Sequence, residues 1–166
     1  MLKKITLFAL LFISMGAMAQ EAKIAYFNSM EVVPAMPEYT RMQDSIQKKQ
    51  ASIENELKIM GEEYNKKYTA FMEQGDKLDE SIKIRRLQEI KDLEERAQNF
   101  NQMSQQQLEQ LYKSLLEPIQ QKVKNAIAEI GAENHFAYIL DVASLLYIDP
   151  SSTDATPLVK KKLGIK

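Results

Sequence analysis

Cysteine and tryptophan are both absent from this chain, and histidine occurs once. Without cysteine there is no disulfide to staple a small fold, and no thiol nucleophile or thiolate ligand. His135 has no second imidazole with which to share a metal, and no serine nucleophile pattern surrounds it. It reads as a structural or solvent-facing residue. Glycine is scarce at 5 residues, and neither G-x-G-x-x-G nor G-K-S/T occurs, so nucleotide binding has no support. Carboxylate pairs such as Asp79/Glu80 and Glu94/Glu95 fit a solvated helix surface, and Asp141 and Asp149 fit turn and strand-end positions. No residue is assigned to catalysis, to a cofactor or to a metal, and the chain is not expected to be an enzyme.

Proline is the most informative scarcity. The 5 prolines stand at positions 34, 37, 118, 150 and 157, leaving 80 residues from Glu38 to Glu117 without one. A proline inside a helix costs about 3 kcal/mol, so this run, rich in Glu, Lys, Gln and Leu, predicts helix. One straight helix of that length would span roughly 120 Å at about 1.5 Å per residue. The stretch Glu73-Gln74-Gly75-Asp76-Lys77 offers a turn, and the run folds back into a hairpin of about half that length.

The remaining composition sets the compartment and the class of partner. Met1-Leu2-Lys3-Lys4 is a basic start, Ile5 to Met15 an apolar core, and Ala17-Met18-Ala19 an A-x-A cleavage pattern. Residues 1–19 are therefore read as a cleavable export signal, with the mature chain starting near Gln20 and working in a bacterial periplasm. Without Lys3 and Lys4, 20 basic residues face 23 acidic ones, a formal charge of −3, which argues against a nucleic-acid binder. Most of the mature chain sits in the hairpin, so the compact part is small and gains from oligomerisation.

Along the first arm, Tyr39, Met42, Ile46, Ile53, Leu57, Met60, Tyr64 and Phe71 recur mostly three or four apart, as one helical face requires. Asp44–Lys48, Glu54–Lys58, Glu62–Lys66 and Glu63–Lys67 are expected to pair at i,i+4 on the opposite face. The second arm resumes near Asp79 with Leu87, Ile90, Leu93, Ala97, Phe100, Leu108, Leu111 and Leu115, a narrow stripe suited to a two-helix coiled coil. Symmetric pairing about the tip places Tyr39 near Ser114.

Tyr64, Tyr68, Phe71 and Met72 gather at the far end of the first arm. Two readings stand for them: packing against Ile82, Ile84 and Leu87, or facing outward, where Met and aromatic side chains can hold extended apolar polypeptide. Outside the arm, Lys23–Asn28 predicts a strand, with an irregular or one-turn helical link between Pro34 and Pro37. Pro118 is expected to kink the chain or open a new helix, and Gly131 to stop it. Phe136–Leu140 and Leu145–Ile148 predict a β-hairpin turning at Asp141–Ser144. Asp154 or Thr156 then caps a short final helix with Pro157 at its start.

Strand, long helical hairpin, two strands and short helix make an α+β chain that is mainly α, with a coiled-coil arm (38–117) inserted into a small β body (20–37 and 118–166). Four pieces carry a family likeness in this order: Lys23-Ile24-Ala25-Tyr26-Phe27, Ala137-Tyr138-Ile139-Leu140-Asp141, Leu145-Leu146-Tyr147-Ile148-Asp149, and the closing run from Thr153 to Gly164. Together they resemble the Skp (OmpH) family of periplasmic chaperones for outer-membrane proteins, over essentially the whole mature chain. The resemblance implies a homotrimer whose strands join in a central body, with Ile24, Tyr26, Tyr138, Leu140, Leu146 and Ile148 as candidate body residues. Three arms would then surround a cavity that holds unfolded outer-membrane proteins without ATP, with Tyr64, Tyr68, Phe71 and Met72 as candidate client contacts.

One departure limits the transfer. Arms of well-known members are strongly basic, whereas residues 38–117 here carry 13 basic and 16 acidic side chains. Lipopolysaccharide or anionic-membrane binding is therefore not carried over. The rival reading is an envelope structural or adaptor coiled coil that binds one folded partner.

Overall fold

The computed structural model describes residues 22–165. The export signal expected at 1–19 lies outside them. Strand β1 (Ile24–Phe27) leads into a one-turn helix α1 (Ser29–Val32), followed by the long helix α2 (Pro37–Gln74). A 3-10 turn at Gly75–Lys77 precedes α3 (Glu80–Asn134); β2 (Tyr138–Asp141), β3 (Thr153–Asp154) and α4 (Thr156–Leu163) complete the chain. Helix accounts for 77 % of the described residues, consistent with an α-dominated chain carrying a small strand body.

Local chemistry explains the boundaries. Asn28 caps α1, its side chain accepting from the Met30 amide at 3.1 Å. Met36, held extended at φ −75° and ψ 132° by the proline that follows, makes Pro37 the natural first residue of α2. At the tip Gly75 stays right-handed helical at φ −56°, and Leu78 and Asp79 turn extended to reverse the chain. The 38 residues of α2 give an arm of about 57 Å.

Two helix-stop expectations need correction. Pro118 does not open a new helix, because α3 runs through it. Its ring leaves the Ser114 carbonyl without a helical donor, yet buried Ile119, Val123 and Ile130 keep the body end of the helix in place. Gly131 does not stop the helix either. The end comes at His135, which adopts φ 56°, and a Schellman motif closes it: Phe136 N–H donates to the Gly131 carbonyl (3.0 Å), and His135 N–H to that of Ala132 (3.4 Å). Helix α4 ends in the same motif with Gly164 at φ 72°. Asp154 begins α4 by accepting from the Thr156 amide at 2.8 Å, while the Thr156 hydroxyl accepts from the Asn28 amide.

The expected β-hairpin is also overturned. The sheet has the order β2-β1-β3 and both pairings are parallel, with Tyr26 opposite Leu140 on one side and Asp154 on the other. Residues 145–148 are not a strand. A chain leaving β2 for the far side of β1 must cross over the sheet, and Leu145 and Ile148 are apolar because they lie along that crossing.

The two arm helices meet along the predicted stripe. Met42 is buried and Tyr39, Ile46, Ile53, Leu57, Met60, Tyr64 and Phe71 are half-buried; across from them Ile90, Leu93 and Ser104 are buried. Lys49 reaches Gln107 at 3.1 Å and Lys67 reaches Glu89 at 3.2 Å, both pairs centred on position 78. Near the root Lys122 pairs with Glu38, so the expected facing of Tyr39 with Ser114 is displaced by about two turns there. The four expected i,i+4 ion pairs are not those that form. Lys58 pairs with Glu62, and Lys67 leaves its own helix for Glu89.

The core sits at the root, where Phe27, Val32, Met36, Met42, Ile119, Val123, Ile130 and Val159 pack together. Lys162 fastens α4 to the end of α3 through Glu129 (2.6 Å) and Glu133 (2.8 Å), and these two carboxylates hold its ammonium charged to unusually high pH. Ile130→Ala should lower stability by about 2–5 kcal/mol in urea unfolding. His135→Gly, by relieving a left-handed residue, should raise it by about 1 kcal/mol.

Candidate functional site

Once the two arm helices have packed their facing stripes, several large apolar side chains remain outside. Tyr64, Tyr68 and Met72 follow one another at i, i+4 and i+8 along the flank of α2. The rings of Tyr64 and Tyr68 stack with centroids 5.9 Å apart and planes 8° from parallel. Tyr64 is half-buried, Tyr68 is exposed, and Met72 is 65 % exposed. Phe71, two turns from Tyr64, lies on the inward stripe. It packs against Gly75, where an added Cβ would sit 3.6 Å from its ring, and lines a cavity of about 340 Å³ with Ala70, Leu78 and Ile90.

The structure thus divides the four tip candidates into exposed Tyr68 and Met72 and half-buried Phe71 and Tyr64, with Tyr64 at the edge of the inward stripe where its ring stacks on Tyr68. Of the residues proposed to cover them, only Ile82 is half-buried; Ile84 and Leu87 are exposed. Ile59, Met103 and Tyr112 are exposed on the arm as well, and the sequence reading did not single them out. Each falls off the inward stripe by a fraction of a turn, which was the available signal. A helix wheel assigns a residue to a flank, but only the packed pair shows which flanks stay open.

Charge near the tip is held locally. Glu89 accepts from Lys67 at 3.2 Å and Arg86 at 3.1 Å, with Arg85 at 3.8 Å. The Lys67 hydrogen bond chiefly, and then the neighbouring positive charges, keep its carboxyl ionised to lower pH than usual. At the root, the hydrogen bond from Lys122 does the same for Glu38.

The second candidate surface is the sheet. Ala25 and Phe27 are buried and Ile139 packs on the same core, so this face of the sheet is covered. The register places Ile24 beside Tyr138 and Tyr26 beside Leu140 on the opposite face. Tyr138 is 62 % exposed, with Ile24 and Leu140 also exposed and Tyr26 half-buried. Leu145, Tyr147 and Ile148 border the same face around a cavity of about 250 Å³ shared with Ile24, Tyr26 and Leu140. Leu146 is fully exposed beside them, and Tyr147, which was not among the candidates, is 75 % exposed. Losing the strand geometry of 145–148 is what turns Leu146 and Tyr147 out together.

A long two-helix arm rooted in a three-stranded body has a counterpart among known proteins. The family model described as outer membrane protein (OmpH-like) matches residues 23–163. The chain belongs to the OmpH-like family. Its fold is similar to that of a candidate outer-membrane chaperone (OmpH-like) from Caulobacter crescentus CB15, with a TM-score of 0.75 at 14 % identity, covering 84 % of this chain and 82 % of that one. No curated protein matches the chain in sequence. Among the described residues of this OmpH-like chain, no cluster of three His, Cys, Asp or Glu could hold a metal, and no helix is long and apolar enough to cross a membrane.

The lowered carboxylates give the arm a defined acid response. Glu38 and Glu89 each titrate below the ordinary value of 4.5, so their pairs stabilise the fold above it and lose that effect as pH falls through the lower folded value. Urea midpoints followed by far-UV circular dichroism should therefore hold level from neutrality to about pH 5 and drop below it. Glu89→Gln should flatten that drop.

Proposed function

We propose that this protein is a periplasmic, ATP-independent holdase that keeps unfolded outer-membrane proteins from aggregating before they are inserted. The observation that carries the reading is the open apolar flank of the arm. Tyr68, Met72, Ile84 and Leu87 remain exposed although both arm helices are present, and a monomeric soluble surface seldom leaves a row of such residues without use. Family membership and the chaperone described for the Caulobacter protein of similar fold support the same role.

Holding by apolar contact suits a broad range of clients. Methionine and tyrosine side chains adapt to different partners and read no one sequence, and each contact is weak enough to be released without a nucleotide. The arms are net acidic, so attraction to anionic lipid plays no part in the proposal. The uncovered sheet face bearing Ile24, Tyr26, Tyr138 and Leu140, with Leu146 and Ile148 at its border, serves in this reading as the self-association surface. Three copies would join there and set their arms around a central cavity. The export signal at 1–19 would deliver the chain to the periplasm.

Diluting a urea-unfolded outer-membrane barrel into the purified protein tests the holding role. Light scattering should be suppressed at a molar excess, and Tyr68→Asp with Met72→Asp should weaken suppression several-fold while leaving the helical spectrum intact. Unchanged aggregation would sink the proposal, and recovery of one stoichiometric folded partner in crosslinking would favour an adaptor. Tyr138→Asp should convert a trimeric mass in light scattering to a monomeric one, whereas a wild-type monomer at micromolar concentration would remove the assembly claim.

A further inference from the structure

The seam between the two arm helices has two sides, and they differ in chemistry. Lys49 and Lys67 each stand three residues past an inward residue of α2, Ile46 and Tyr64, and reach across to Gln107 and Glu89. Glu38 and Lys122 close the same side at the root. Its cavities are charged: the Lys67–Glu89 pair borders one of about 340 Å³, and the Glu38–Lys122 pair one of about 400 Å³.

The opposite side has no such cross-link among the described residues. Gln43, Gln50 and Tyr68 stand four residues past inward Tyr39, Ile46 and Tyr64, so they share this flank of α2. Leu87, Asn101, Gln105 and Tyr112 stand three residues before Ile90, Ser104, Leu108 and Leu115 and line the same side from α3. A cavity of about 400 Å³ lies between Gln43, Gln47 and Gln50 on one helix and Tyr112 on the other, and no charged residue lines it. The one carboxylate in the α3 row is Glu94, which accepts from Gln98 at 3.4 Å.

Gly61 continues the α2 row, four residues past Leu57. An added Cβ there would meet nothing within 4 Å, and Gly61 is not among the residues of positive φ. Neither crowding nor backbone shape within the chain calls for a glycine, which weakens a helix relative to alanine. A bare position of this kind suits the close approach of another backbone.

We propose that this uncharged side of the arm is a groove for one extended segment of an outer-membrane client, whose backbone passes over Gly61. The inference rests on the holding role proposed above and gives that role a site. A primary amide is neutral and carries both donors and an acceptor, so it can answer the peptide groups of an extended chain whatever its charge. Gln50 donates to Glu54 at 3.1 Å and Gln105 to Asn101 at 3.5 Å, each bond using one end of the amide. Tyr68 and Leu87 toward the tip and Tyr112 toward the root meet apolar side chains, which alternate with polar ones along a barrel strand. From Gln43 to Tyr68 the groove runs about 38 Å, at about 1.5 Å per residue, a length that about 11 extended residues cover. One membrane-crossing β-strand has about that length, roughly 9–11 residues.

The chain has no cysteine, so a benzophenone can be attached at Gln50→Cys or Gln105→Cys in the groove, and at Glu56→Cys on the cross-linked side. All three positions are exposed. On irradiation with a urea-diluted outer-membrane barrel, the two groove positions should crosslink the client several-fold more than Glu56→Cys. Gly61→Leu separates the groove from general stickiness, because it favours helix and adds apolar surface while blocking the close approach. It should weaken suppression of aggregation several-fold with the helical spectrum intact. Equal crosslinking on both sides, or Gly61→Leu holding the client as well as wild type, would overturn the groove and leave the holding role standing. Aggregation that the wild-type protein fails to suppress would overturn both.

Discussion

A lever needs a fixed end, and this molecule has one small place to make it. Val32, Met36, Ile130 and Val159 are the largest fully buried side chains of the described residues, and they come from four different elements: the one-turn helix, the residue before Pro37, the end of α3 and the C-terminal helix. Each buried side chain of this size contributes roughly 1.5–3 kcal/mol. An arm of about 57 Å carries only a single shared stripe along its length, so this cluster fixes both its direction and its root. The ion pairs from Lys160 to Glu31 and from Lys162 to Glu129 and Glu133 press α4 onto the same point.

The arm was readable in the sequence because two signals agreed over many residues. Proline is missing, and apolar side chains recur at the helical period, so the stripe from Tyr39 to Phe71 and its counterpart from Ile90 to Leu115 turn inward as expected. The body was less readable because each of its signals is short. Pro118 and Gly131 are breakers by propensity, yet the buried side chains between them, Ile119, Val123, Ala126 and Ile130, outweigh a local cost of about 1–3 kcal/mol. The true stop is His135, a residue whose preference for the left-handed region is too weak to announce itself. Leu145–Ile148 resembles a strand because a segment crossing a sheet face needs apolar residues as much as one pairing within it.

Charge proved legible in amount but not in connection. The sequence has many carboxylate–lysine pairs at helical spacing, and the count of acids over bases in the arm follows directly from it. Which pairs close depends on the second helix. Lys67 and Lys122 reach across to Glu89 and Glu38, and Lys67 does so although Glu63 stands one turn away on its own helix. The same packing decides which apolar flanks remain open, so the client candidates could be named as a cluster but not divided until Phe71 was seen turned inward. Tyr138 and Leu140 show the opposite case: their placement on one face depended only on strand alternation, and the parallel register delivers it.

The sheet order also has a temporal side. The central strand, Ile24–Phe27, is the first element of the described chain, while its two neighbours come from near the end: Ala25 pairs with Ile139 and Thr153. Such separation makes the body a structure of high contact order, whereas the arm forms between segments that meet at a nearby turn. A chain emerging from its amino terminus can close the arm early, but its first strand must wait unpaired until almost the last residues arrive. The C-terminal helix, with Val159 and its lysines, therefore acts as a completion signal. Truncation there removes Val159 from the core that roots the arm.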